Sequence, residues 1–222
     1  VTGVQTCALP ISELIVCAVP YLRDRDIRTV DTGESVSDKE RKLIEGIRSH
    51  YAAVCTSAEK LRSELKTSIP IIATGHLFTA GGQSVDGDGV RELYIGSLAH
   101  VTADIFPEFI DYLALGHLHV PQLVSGSATR RYSGSPLPMG FGEAKQEKTL
   151  VIADFSDNKS DVKTIQIPCF QALESIRGNW NEIETKINKL KNESSSVWLE
   201  IVYQGEEVIA NLRNRLDGLI AG

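Results

Sequence analysis

The sequence predicts an α/β (α+β) chain, with a layered β-structure flanked by helices and then a small β-α-β-α module. Three observations predict it. Strand-sized apolar runs recur through the first 160 or so residues, and two of them, IIATGH and YLALGH, end in the same Gly-His step. The stretch SVSDKERKLIEGIRSHYAAVCTSAEKLRSEL carries its apolar side chains at helical spacing. Beyond residue 160 the grammar becomes strand, helix, strand, helix, with a capping signal.

The 222 residues are 42% hydrophobic and 23% charged, as in a soluble globular chain of one large domain or one domain plus a small one. No apolar stretch approaches the ~20 residues that cross a bilayer, so no membrane partner is expected. A formal net charge of -6 argues against a broad basic nucleic-acid surface but not against a local groove. Cys7, Cys17, Cys55 and Cys169 form no C-x-x-C pair, and their spacing fits neither a zinc ribbon nor a dense disulfide framework. They read as reduced thiols of a cytoplasmic protein.

In chain order, VTGVQTCALPIS has no initiator methionine and no signal-peptide pattern. It reads as a translated sequencing adapter, so residues 1–12 are expected to be a non-native scar that forms no native strand, with the start of the gene lost upstream. The run from Glu13 to Leu22 reads as a buried strand, and RDRDIRTVDTGES as a loop. Ser37 and Glu40 form an S-x-x-E capping box for a helix whose apolar face holds Leu43, Ile44, Ile47, Tyr51, Val54 and Cys55, with a second segment at Ala58–Leu65. Ile69–Thr74 is a strand, TAGGQSVDGDGVRE a loop and LYIGSL a short strand. DYLALGHLHV is the next apolar run, and QLVSGSATRRYSGSP gives two short strands about a Ser/Gly turn. KTLVIADF, VKTIQIP and FQALESIRG are strands, with SDNKSD a turn. Asn179 caps a helix with Glu182 three residues on and Ile183, Ile187 and Leu190 on one face. SVWLEIVYQ is a strand and EEVIANLRNRLDGLI an amphipathic helix.

Chemistry concentrates at the two Gly-His steps. Ligand-bearing loops gather at the C-terminal ends of sheet strands, and glycine there lets the backbone turn sharply. His76 and His117 can therefore converge in space, and His119, two residues past His117 in extended chain, points to the same side. Neutral imidazole is a common metal ligand. One histidine after a strand is more often structural; the repeated step is what favours a metal site. His50, inside the long helix, and His100, in a polar loop, read as ordinary.

Three imidazoles do not complete a dinuclear centre, which holds two cations roughly 3.5–4 Å apart and needs a bridging carboxylate. No D-x-H, G-D-x-x-D or G-N-H-D string occurs. DGDG at 86–89 lacks the terminal glutamate of an EF-hand loop, and there is no P-loop, G-x-S-x-G or dinucleotide fingerprint.

The blocks CAVPYLRDRDI, IPIIATGHLFTAGG, VRELYIGSL, FPEFIDYLALGHLHVPQ and RYSGSPLPMGFGE resemble the bacterial SbcD family of the calcineurin-like metallophosphoesterase superfamily, over about residues 13–222. The resemblance implies part of a metallophosphoesterase β-sandwich flanked by helices over 13–160 and a partial capping, DNA-contacting domain over 161–222. It implies two divalent ions, manganese in that family, with His76 and His117 on one and His119 on the other. The remaining ligands and the leaving-group acid belong to motifs expected before residue 13, so no catalytic residue is expected in this chain. It implies exonuclease and endonuclease hydrolysis of DNA phosphodiesters in repair and recombination, within a heterotetramer containing an SbcC-type SMC ATPase. Arg130 and Arg131 are candidate phosphate contacts. The competing readings are another metallophosphoesterase, a nucleotidase or phosphodiesterase, and a non-catalytic partner-binding remnant.

Overall fold

The computed structural model describes residues 8–11, 14–29, 31–66, 68–79, 81–83, 101–156 and 159–221. These fall into two compact units. One comprises the described residues up to 83 with 101–136 and 147–167; the other comprises 137–146 and 168–221.

In the first unit β1 (Ala8–Ile11), β2 (Leu14–Cys17), β3 (Ile71–His76), β4 (Tyr112–Gly116), β5 (Gln122–Val124) and β6 (Ser127–Tyr132) form one six-stranded sheet in the order β1-β2-β3-β4-β6-β5. The four central strands are parallel, and β1 and β5 are antiparallel edges. β1 corrects the expectation that nothing before Glu13 forms a strand. Ala8–Ile11 pair with Leu14–Cys17 because β2 offers an open row of main-chain donors and acceptors, which a short apolar segment can satisfy. The Glu13–Leu22 run keeps ladder pairing only at Leu14–Cys17, and Pro20 beyond it has no N–H to give.

The segment read as loop contains α1 (Asp24–Ile27), whose first turn is held by the Arg23–Asp26 ion pair at 2.7 Å. It leads into α2 (Val36–Glu64). The cap of α2 is Ser35, whose hydroxyl accepts from the Asp38 N–H at 3.1 Å, and not Ser37 with Glu40. Both serines fit the capping pattern, but Asp38 also accepts from the Ser35 hydroxyl at 2.6 Å, which fixes the earlier start. The helix runs unbroken through Ala58, where two segments were expected, because Leu43, Ile47, Tyr51, Cys55 and Ala58 form one buried stripe. That stripe packs in one core with Ile15, Cys17, Ile71, Ala73, Leu113 and Leu115. Each such large side chain, fully buried, contributes about 1.5–3 kcal/mol.

β4 is buried on both faces, as its unbroken apolar run requires. Leu113 and Leu115 join the helix-side core, while Tyr112 meets Phe155 with ring centres 6.2 Å apart. Phe155 lies on β7 (Thr149–Ser156), which pairs with β8 (Lys159–Gln166) as a two-stranded antiparallel ladder. The expected LYIGSL strand and the DGDG turn lie outside the described residues, as does His100.

In the second unit β9 (Leu173–Gly178) and β10 (Trp198–Tyr203) are parallel neighbours joined through α3 (Trp180–Asn192) and followed by α4 (Leu212–Ala221). Asn179 and Glu182 close the expected capping box reciprocally, at 3.1 and 2.8 Å. Ile183 and Ile187 are buried against Ile176, Leu199 and Ile201. α4 begins six residues later than Glu206, where the sequence places it: Asn211 has φ 56°, outside right-handed helix, and the Tyr203 hydroxyl donates to the Glu207 carbonyl at 2.7 Å. No helix among the described residues is long and apolar enough to cross a membrane.

Candidate metal centre

β3 and β4 are adjacent and parallel, and their register pairs His76 with Gly116 and Gly75 with Leu115. Both Gly-His steps therefore reach the same edge of the sheet. Each glycine has a close neighbour. A Cβ on Gly75 would stand 2.1 Å from the Tyr51 hydroxyl, which donates to the Thr74 carbonyl at 2.9 Å and fastens β3 to α2. A Cβ on Gly116 would stand 3.2 Å from His76 Nδ1, so the bare glycine leaves room for the His76 ring.

His117 then turns with φ 105°, a conformation that costs a residue with a Cβ roughly 1–3 kcal/mol and that clusters at functional sites. With that turn, the His76 and His117 ring centres lie 5.2 Å apart at 70° between planes. Tyr21 meets His76 edge-on at 5.9 Å, and Phe78 meets His117 at 6.4 Å. His76 is solvent-exposed as a residue, yet the protein packed around its imidazole, and then the positive potential of His119, hold its pKa below the usual histidine value. It is thus kept in the neutral form that coordinates.

The pair fits a shared cation. With metal–nitrogen bonds of about 2 Å, two imidazoles on one tetrahedral or octahedral ion place their ring centres about 5 Å apart. The described residues do not complete such a site: no group of three or more His, Cys, Asp or Glu among them is arranged to hold a metal ion. His119 is near enough to act electrostatically on His76, and it is followed by a separately anchored backbone. His50 lies in α2, where burial lowers its pKa, and belongs to neither Gly-His step.

Arg130 is not free for phosphate in the way its sequence suggests. Its guanidinium donates to the Ala103 and Pro107 carbonyls at 3.2 and 3.3 Å, tying β6 to the segment before β4. Arg131 has its Nε buried without a hydrogen-bond partner. Sequence reasoning did not single out Tyr132, Ser135 or Lys148, which hold the loops behind the histidines; the only trace was the compact RYSGSP block.

Residues 169–222 match the SbcD_C family, described as the type 5 capsule protein repressor C-terminal domain. The chain is 34% identical over 208 residues to the SbcD subunit of the nuclease SbcCD of Escherichia coli (strain K12), covering 92% of this chain and 51% of that protein. The same-named protein of Bacillus subtilis (strain 168) is 38% identical over 110 residues, 49% of this chain and 28% of that one. That of Rhodobacter capsulatus is 32% identical over 141 residues, 64% of this chain and 33% of that one. The chain thus spans about half the length of the Escherichia coli relative, at 51%. Across the 208 residues aligned with that relative the chain is SbcD-like, and residues 169–222 match the family's C-terminal domain.

Proposed function

We propose that the complete protein hydrolyses DNA phosphodiester bonds as the nuclease subunit of an SbcCD-type assembly. Its partner is an SMC-type ATPase of the SbcC kind, in a heterotetramer, and it acts in DNA repair and recombination. The observation that carries this reading is the His76–His117 pair, 5.2 Å between ring centres on adjacent parallel strands of an SbcD-like sequence.

In this reading His76 and His117 are ligands to one divalent ion, manganese, and His119 to a second. A divalent-ion pair held there would polarise the phosphate and activate a water for in-line attack. The chain's own contribution is positional. Gly116 makes room for the His76 ring, the φ of His117 aims its ring at His76, and a depressed pKa keeps His76 neutral. The carboxylate that would bridge two cations is not supplied by any D-x-H, G-D-x-x-D or G-N-H-D string of this sequence.

The test is hydrolysis by a chain extended to the full length of its relatives. It should cleave linear and hairpin DNA with Mn2+, and His117→Ala should abolish the cleavage. Hydrolysis of nucleotides with DNA left intact would contradict the proposal. The 222-residue chain alone should be inert, because two cations roughly 3.5–4 Å apart repel strongly without a bridging carboxylate.

A further inference from the structure

We propose that one short stretch, Tyr132 to Ser135, assisted by Lys148, is a two-point clamp that sets the spacing between the His76 loop and the His119 loop. The inference rests on the metal reading only for its consequence, not for its geometry.

The first point is Tyr132, fully buried at the end of β6. Its hydroxyl donates to the Leu77 carbonyl at 2.7 Å and accepts from the Thr79 N–H at 3.1 Å, with Thr79 Oγ1 at 3.2 Å. The two residues it grips lie one and three positions after His76. Thr79 is itself 1% exposed, so water does not compete for these bonds.

The second point follows three residues later. Gly134 has φ 79°, and a Cβ there would stand 2.7 Å from the His119 carbonyl oxygen, so only glycine lets the chain pass this close. Ser135 N–H donates to that same oxygen at 3.1 Å. Lys148, 5% exposed, donates from Nζ to Ser135 Oγ at 2.9 Å and to the His119 carbonyl at 3.4 Å. A buried ammonium is costly unless its donors are used, and here one goes to the His119 carbonyl and one to the Ser135 hydroxyl.

The two grips are thus joined by a link of only three residues, which spans at most about 10 Å. β6 is also in ladder contact with β4, through Leu115↔Tyr132. The strand that leads into His117 and the clamp that holds the neighbouring loops are therefore joined through the sheet ladder. Tyr132 and Lys148 are positioning residues, acting through the main chain of Leu77, Thr79 and His119.

The test uses the 222-residue chain with 15N-labelled histidines observed by NMR, and Co2+ alone titrated by absorbance. Lys148→Met should shift and broaden the His119 ring resonances while those of His50 stay in place, and should weaken Co2+ binding about tenfold, as the loss of an outer-shell partner does. Lys148→Arg, which keeps a donor, should restore most of both. Tyr132→Phe should disturb the His76 ring in the same way. A folded Lys148→Met protein with unmoved His119 resonances overturns the clamp, whatever Co2+ does. A parent chain that binds no Co2+, but whose ring resonances respond to these variants, removes the metal reading and leaves the clamp standing. Should the variants fail to fold, amide exchange in the parent chain decides: the Ser135 and Thr79 amides should be protected, and exchange at the unprotected rate overturns the proposal.

Discussion

His76 is paired with Gly116 across a parallel ladder, and its ring centre lies 5.2 Å from that of His117, the residue after that glycine. The pairing register and the positive φ of His117 act together. The register sets the second Gly-His step one residue beyond the first, and the unusual turn accompanies the approach of the two rings.

The strain at His117 has a measurable consequence. His117→Gly should raise stability, because glycine adopts φ 105° freely while the strain relieved is roughly 1–3 kcal/mol and the added unfolded-state entropy is roughly 0.5–1 kcal/mol. The expected net gain is about 1 kcal/mol, a rise of about 2–4 °C in Tm. His119→Gly, at a position without positive φ, should lower Tm. A fall in Tm for His117→Gly as large as that for His119→Gly would show that His117 is unstrained.

Alkaline pH probes Tyr132. Burial pushes its hydroxyl up to about 12 from the ordinary 10.0, so the folded chain keeps a proton that the unfolded chain releases. The stability from this group is complete below pH 10 and is lost as pH rises toward about 12. Burial raises Tyr51 as well, in the same direction. Tyr132→Phe should cost about 1 kcal/mol at neutral pH through its lost hydrogen bonds, and should flatten the decline of denaturant midpoint above pH 10. An unchanged alkaline slope would contradict the buried, bonded hydroxyl.

The start of α2 is also testable. Ser35→Ala should destabilise the chain by about 1 kcal/mol through loss of the cap, whereas Ser37→Ala should cost less than half of that. Equal losses, measured by denaturant unfolding, would return the cap to the later serine.

Much of the fold was legible because its signals are local. The buried stripe from Leu43 to Ala58, the Asn179–Glu182 box and the apolar run of β4 each announce themselves by spacing. The first cap was not, since Ser35 and Ser37 satisfy the same pattern and only the Asp38 carboxylate chooses between them. The late start of α4 was hidden because Glu206–Asn211 are composed like helix, while the φ of Asn211 is set by its surroundings. Of the candidate site, the convergence of His76 and His117 could be read from the repeated Gly-His step. The anchoring of His119 could not: Tyr132, Ser135 and Lys148 are distant in sequence from the residues they hold, and nothing in an isolated Tyr or Lys tells which carbonyl it will bond.

The most direct measurement is paramagnetic broadening of the histidine ring resonances of the 222-residue chain as Mn2+ is added in substoichiometric amounts. His76 and His117 should broaden together, and His117→Ala should abolish the effect at His76, since one ion then loses one of its two imidazoles. Broadening should weaken as pH falls below the ordinary imidazole range, since the His76 pKa is held under the usual value and protonated imidazole cannot coordinate. Rings that stay sharp at millimolar Mn2+, or His76 broadening undiminished without His117, would contradict a shared ion at the end of β3 and β4.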